Sequence, residues 1–222
     1  MTAAPGSLAA SLLGLGAGAV LVCAVMVLWR GSTAAVVRVV ALQGLALAIV
    51  AAVLGLVAHD VGLLVTAGIV LVVKAGLVPR LLGRVVRDNP YGRETRPLVN
   101  FPASLVVAAG LTFLAYGATA HIVAGIGGTR GHLVPIGVAT LLIGFLVAVS
   151  RRKAVFQILG ILLVDNGIAL VAFLVTAGVP LLVELGVSLD VFLAVGVLQV
   201  LAVRMRAEFG SLDLDELTEL HD

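Results

Sequence analysis

Charged residues are scarce in this chain of 222 residues, and their scarcity excludes an ordinary soluble domain. Asp, Glu, Lys and Arg together make up 12% of the sequence, against roughly 25% in a typical soluble protein. Hydrophobic residues make up 61%, and the mean hydropathy is +1.23. This composition is typical of a polytopic membrane protein, so we expect an all-α transmembrane helix bundle.

The chain also lacks the residues that most cofactor sites need. Its one cysteine, Cys23, excludes an internal disulfide. His121 and His132 have no Cys, Asp or Glu nearby in the sequence and so make a poor metal site. The segment GLGAG lacks the glycine spacing of a nucleotide loop, and its Gly14 and Gly18 instead predict a face for close helix packing. We therefore predict no cofactor, no metal and no catalysis by the chain alone.

Seven apolar runs are long enough to cross a bilayer, which takes about 20 residues each. They run from Ser7 to Trp29, Ala34 to Ala58, Val61 to Leu82, Phe101 to Gly125, Leu133 to Val149, Ala154 to Gly178 and Leu181 to Val203.

Basic residues cluster in alternate connections between these runs. The first, third and fifth connections and the segment after the last run are basic, whereas the second, fourth and sixth hold only Arg130. Because basic loops stay in the cytoplasm, this pattern predicts an N-terminus outside and a C-terminus in the cytoplasm. The basic pI of about 9.1 thus reflects the predicted cytoplasmic connections and does not indicate nucleic-acid binding.

The spans leave no segment for a separate soluble core, so residues 1–222 are predicted to form a single transmembrane domain in the cell membrane. Its parts are 1–100 with three spans and a cytoplasmic loop, 101–130 with the fourth span, 131–206 with the last three spans, and 207–222 as an acidic cytoplasmic tail.

Three ionisable residues lie deep inside the apolar runs. Counted from the predicted outer ends, Asp165 lies about 18 Å deep, Lys74 about 20 Å and Asp190 about 12 Å. Charges at such depth are costly and usually face protein or water. We interpret Asp165 as a central proton relay, Asp190 as a second relay and Lys74 as their charge partner. The alternative is that these residues only fix helix packing, which is the favoured interpretation for Glu184 near the outer interface.

Two polar residues accompany Asp165 in the sixth run. Gln157 precedes it by two helical turns on the same face, where its amide could hold a water chain towards the cytoplasm. Asn166 follows it directly and is predicted either to orient Asp165 or to hydrogen-bond to another helix. We include both as supporting polar residues.

Three motifs follow one another in the last part of the chain: RRKAVFQILGILL, DNGIAL and the terminal SLDLDELTEL. In these motifs the last three runs resemble the K-type subunit of respiratory complex I and the C subunit of multisubunit cation/proton antiporters. Over its whole length, with seven spans and Lys74-x-x-x-x-Pro79, the chain is similar to membrane component E of hydrogenase-4 and formate-hydrogenlyase-type complexes.

The resemblance to the K-type family implies a glutamate at the position of Leu162 and another at about Ala194, where this chain lacks them. It carries Asp165 and Asp190 instead. Both departures move the acid outward, by about 4.5 and 6 Å, so the pair is displaced as a unit. The resemblance to component E proteins implies acids at these same displaced positions.

The resemblance further implies a non-redox membrane subunit that helps conduct protons beside antiporter-like subunits, with a cytoplasmic peripheral arm for the electron chemistry. Two other functions stay open. One is a membrane scaffold that moves no protons, and the other is a cation/proton antiporter or one of its subunits.

Overall fold

A computed structural model of the chain describes residues 5–29, 32–87, 101–151 and 154–176. The regular structure in these ranges is helical, apart from an isolated bridge at Ser32. The helices are α1 (Pro5–Trp29), α2 (Thr33–Ala58), α3 (Val61–Val70), a π-helical segment (Leu71–Leu77), α4 (Val78–Arg87), α5 (Phe101–Ala118), α6 (Ala120–Ile126), α7 (Gly128–Ser150) and α8 (Ala154–Thr176).

Five stretches of the described helices are long and apolar enough to cross a membrane. They are Ser7–Trp29, Ala34–Ala58, Val61–Gly83, Gly128–Ser150 and Phe156–Val175, and the bent pair α5 and α6 makes a sixth if it is one span. The predicted helical membrane bundle is therefore confirmed. The seventh run, Leu181 to Val203, lies outside the described residues, so the count of seven and the orientation of the termini stay predictions.

The fourth predicted span is not straight. Its two parts, α5 and α6, meet at an angle of 51°. Thr119 lies between them with non-helical backbone angles, and its hydroxyl donates to the carbonyl of Ala115 at 2.7 Å. The next helix begins at Gly128, earlier than the predicted Leu133, because Gly127 and Gly128 adopt positive φ angles of 64° and 60° that reverse the chain.

Helices α7 and α8 pack closely through glycines on both helices. A Cβ atom on Gly144 would lie 2.6 Å from the backbone nitrogen of Val164, and one on Gly167 would lie 2.6 Å from that of Leu141. Real Cβ atoms do not approach backbone so closely, so only glycine permits this spacing. The close contact fixes the position of α8, which carries Asp165.

No described helix packs against the Gly14 and Gly18 face of α1, so close packing on that face stays a prediction. Within the described part of the chain, Cβ atoms on Gly14 and Gly18 would meet nothing within 4 Å. Gly16 makes the close contact instead, since its Cβ would lie 2.6 Å from the side chain of Val50 on α2. Gly14 and Gly18 do have the i, i+4 spacing, but α1 is rotated so that the face with Gly16 contacts α2.

Candidate functional site

The centre of the bundle contains a buried ion pair between two neighbouring spans. The Nζ atom of Lys74, in the π-helical segment, lies 2.8 Å from Oδ2 of Asp165 on α8. The two side chains are 5% and 9% exposed. Lys74 lies roughly 20 Å from the start of α3, and Asp165 roughly 17 Å from the end of α8. The structure thus places both residues in one layer near mid-depth.

The pair has unused hydrogen-bonding capacity. Lys74 Nζ and Asp165 Oδ2 are within ion-pair distance, but neither has a partner that meets hydrogen-bond angles among the described residues. An ammonium has three donors and a carboxylate about four acceptor positions, so the pair can bind further polar groups. Buried polar atoms of this kind are costly unless something completes them.

The backbone around Lys74 departs from a regular α-helix. The N–H of Val78 donates to the carbonyl of Val73, five residues back, and Pro79 has no N–H to offer. The Lys74 carbonyl therefore loses the donor that Val78 would supply in a regular α-helix, and Pro79 cannot supply the donor that a continued π-helix would use. π-helical turns inside longer helices are uncommon and occur often at functional sites.

Gly44 on α2 lets the π-helical segment approach. A Cβ atom at Gly44 would lie 2.8 Å from the carbonyl carbon of Lys74 and 2.9 Å from its oxygen. The two backbones are consequently in direct contact, and any larger residue at 44 would push Lys74 out of its position. Gly44 thus sets the distance between α2 and the helix that carries the lysine.

A chain of amide hydrogen bonds joins three helices beside the ion pair. Nδ2 of Asn166 on α8 donates to Oε1 of Gln43 on α2 at 2.9 Å, and Nε2 of Gln43 donates to the carbonyl of Val20 on α1 at 2.9 Å. Gln43 and Asn166 are both buried. Of the two roles predicted for Asn166, the structure shows the hydrogen bond to another helix.

A small cavity borders the ion pair between α2, α4 and α8. It has room for about one water molecule. Its lining is apolar apart from the pair itself and Asn166, and consists of Val40, Val73, Lys74, Val78, Leu162, Asp165 and Asn166. Leu162, the position where the resemblance implies a glutamate, therefore lies in the wall of the same cavity as Asp165.

Gln157 lies apart from this centre. It precedes Asp165 by eight residues, roughly 12 Å along α8, and its Nε2 donates to the carbonyl of Arg151 at 3.2 Å. Arg151 is itself buried and donates to the carbonyls of Leu28 at 2.7 Å and Val27 at 3.4 Å. Gln157 thus binds the turn before α8, at the predicted cytoplasmic end.

Asp190 and Glu184 lie outside the described residues, so the structure does not place them. The relay roles of Asp165, Asp190 and Lys74 stay predictions. No group of three or more His, Cys, Asp or Glu side chains within the described ranges is arranged to hold a metal ion.

Sequence reasoning missed Gln43 and the structural role of Arg151. Gln43 is an uncharged amide inside an otherwise apolar run, and such residues commonly join helices in membranes. That signal was available in the sequence. The contact of Arg151 with the end of α1 was not, because the two segments are more than 120 residues apart in the chain.

Relatives from three bacteria are similar to this chain over most of its length. The uncharacterized protein Rv0085 of Mycobacterium tuberculosis (strain ATCC 25618 / H37Rv) is 43% identical over 212 residues, covering 95% of this chain and 96% of the relative. Hydrogenase-4 component E of Escherichia coli K12 is 28% identical over 158 residues, covering 71% and 73%, and its Shigella flexneri counterpart has the same values. No protein-family model and no solved structure matches the chain.

Proposed function

This chain belongs to the same family as the Mycobacterium tuberculosis protein Rv0085, and we propose that it is a non-redox membrane subunit of a complex I-like hydrogenase complex. The proposal rests on the distant similarity to hydrogenase-4 component E. Its location is then the cell membrane, and its partners are antiporter-like membrane subunits and a cytoplasmic arm that carries out the electron chemistry. Whether that arm oxidises hydrogen or formate depends on those partners.

Within this complex, the chain contributes to proton translocation through Lys74 and Asp165. The observation that carries this step is the buried ion pair with unused hydrogen-bonding capacity beside a cavity of about one water molecule. Ionisable groups are rarely kept at this depth without a function. Asp190 on the seventh predicted span is the second relay.

Proton uptake and release at the Lys74–Asp165 pair need only a change in the charge around it. While the pair is closed, the Lys74 ammonium balances the charge of the Asp165 carboxylate at 2.8 Å. When a charge in a neighbouring subunit draws the ammonium away, Asp165 takes up a proton on a carboxylate oxygen and the pair opens. When the ammonium returns, the carboxyl group releases that proton and the pair closes.

The substitution Asp165→Asn tests this proposal. It keeps the shape of the side chain but cannot carry a proton. In the complete complex, reconstituted in liposomes and supplied with hydrogen and a viologen acceptor, we expect proton translocation to fall by roughly a hundredfold. Assembly and electron transfer to the viologen should remain, because neither uses this carboxylate.

The matched control is Asp60→Asn. Asp60 is an exposed N-cap of α3 whose Oδ1 accepts from the N–H groups of Gly62 and Leu63 at 2.8 and 3.3 Å. Asparagine caps helices as well as aspartate does, so this variant should translocate protons normally.

Full proton translocation in the Asp165→Asn complex would contradict the relay and favour a membrane scaffold that moves no protons. If the Asp165→Asn complex fails to assemble, the double variant Lys74→Gln/Asp165→Asn removes the lone ammonium and allows the same measurement.

Purification separates the remaining alternative. A subunit should come out of the membrane with several large membrane proteins, whereas an independent cation/proton antiporter should exchange ions alone in liposomes. Transport by the isolated chain would contradict the proposal.

A further inference from the structure

Arg80 on α4 is exposed and lies at an unusual depth. A Cβ atom on Gly76 would lie 2.9 Å from Nη1 of Arg80, so the guanidinium covers Gly76 one helical turn before its own Cα. Gly76 lies seven residues, or roughly 10 Å, inside the end of the span at Gly83. The charge of Arg80 therefore lies within the lipid-depth part of the span.

The direction of the helix explains this placement. Side chains of a helix tilt towards its N-terminus, and α4 continues a span whose N-terminal end is at Val61, across the membrane. Arg80 consequently points back along its own span, away from the end at Gly83. Arg38, exposed on α2, belongs to a span that runs the opposite way, and its side chain tilts towards the predicted cytoplasmic surface.

Arg80 has no ion pair in the described part of the chain. The carboxylates there are those of Asp60 and Asp165; the first caps α3 at the other end of the span and the second pairs with Lys74. Asp190, outside the described residues, is predicted to lie about 12 Å from the outer end of its span, whereas the Arg80 guanidinium over Gly76 lies roughly 22 Å from the outer end of its own. The depth predicted for Asp190 therefore does not match the depth of the Arg80 guanidinium.

A lipid phosphate does not fit this depth either. The span of 23 residues is roughly 34 Å long, against a hydrocarbon thickness of about 30 Å. The guanidinium over Gly76 then lies roughly 8 Å beneath the headgroup boundary, where a protein helix can place a carboxylate but a phosphate does not reside. Such intramembrane charges pair with one another across helices.

We propose that the face of the third span around Val72, Gly76 and Arg80 binds a transmembrane helix of another subunit, and that this helix carries an Asp or Glu at the depth of Gly76. The inference rests on the proposed function, because it requires a membrane partner. Val72 is 66% exposed and lies two turns from Arg80 on the same face. The absence of a side chain at Gly76 leaves room for the guanidinium.

The variant Arg80→Glu tests the charge. The tagged full-length chain is expressed with its native partners, and the membrane proteins that copurify with it are quantified. We expect their yield to fall at least about tenfold, since a carboxylate would then face a carboxylate at low dielectric. Arg38→Glu, the control on the neighbouring helix, should keep the yield of the unsubstituted chain. Equal yields from Arg80→Glu and the unsubstituted chain would overturn the inference.

A second measurement does not depend on the stability of the charge variant. A photocrosslinking benzoyl-phenylalanine replaces Val72 in the otherwise native chain, and the membranes are irradiated. A covalent product with a membrane protein is expected, and products with lipid alone would overturn the inference. If the unsubstituted chain copurifies with no membrane protein, the proposed function itself fails, which is a result distinct from either of these.

Discussion

Replacing one residue of the Lys74–Asp165 ion pair affects the stability of the protein differently from replacing both. Removing Lys74 alone leaves a buried carboxylate without its cation, whereas removing both Lys74 and Asp165 leaves an apolar contact. Breaking one side of a buried ion pair typically costs about 3 to 5 kcal/mol, and replacing both sides by apolar residues is often neutral. The stability of the pair and its function are therefore separable.

We expect Lys74→Met to lower the stability of the purified protein in detergent by about 3 kcal/mol. The double variant Lys74→Met/Asp165→Leu should recover most of that loss while remaining inactive in proton translocation. Thermal unfolding of both single variants and of the double variant gives the coupling free energy between the two sites. Additive losses in the double variant would show that the two side chains do not interact.

At the scale of the helices, the site depends on glycines that bring backbones together. Gly44 holds α2 against the π-helical segment, and the glycines of α7 and α8 hold those two helices in contact. A methyl group at Gly44 would meet backbone atoms of Lys74, which cannot move aside as a side-chain end can. The ion pair is thus positioned by a neighbouring helix as well as by its own.

Gly44→Ala should therefore displace Lys74 and lower both thermal stability and proton translocation. Gly110→Ala on α5 is its matched control, because a Cβ there meets nothing within 4 Å among the described residues. Alanine favours helix over glycine by about 1 kcal/mol, so the control should be unchanged or slightly stabilised. Equal behaviour of the two variants would contradict the assigned role of Gly44.

At the scale of the whole chain, the number of spans decides whether the two ends lie on the same side of the membrane or on opposite sides. The described residues provide five spans, or six with the bent pair α5 and α6. The sequence predicts a seventh in Leu181 to Val203, which would return the C-terminus to the cytoplasm if the N-terminus is outside. The alternating basic connections support this arrangement.

Labelling in cells tests the topology. In a Cys23→Ala background, His59→Cys at the exposed turn between α2 and α3 should react with an impermeant maleimide added to intact cells. A fluorescent protein fused after Asp222 should fluoresce, as it does when it lies in the cytoplasm. A labelled His59→Cys together with a dark fusion would indicate an even number of spans.

Much of the fold could be predicted from composition and periodicity. A long apolar run has few stable alternatives to a helix in lipid, because every backbone polar group needs an internal partner. The bend at Thr119 and the π-helical turns at Lys74 were not predictable in this way. Both depend on local hydrogen bonds that leave hydropathy unchanged. Which glycine of α1 contacts α2 also depends on the rotation of the helix, which spacing alone does not give.

Composition and hydropathy were enough to assign the membrane class, to locate the described spans and to show that Lys74 and Asp165 lie deep inside two of them, because desolvation confines such residues to few environments. Three features came from the folded structure alone: the contact between these two side chains, the hydrogen bond from Asn166 to Gln43, and the position of the Arg80 guanidinium over Gly76. Depth follows from counting along one helix, whereas contact depends on how helices rotate and approach one another.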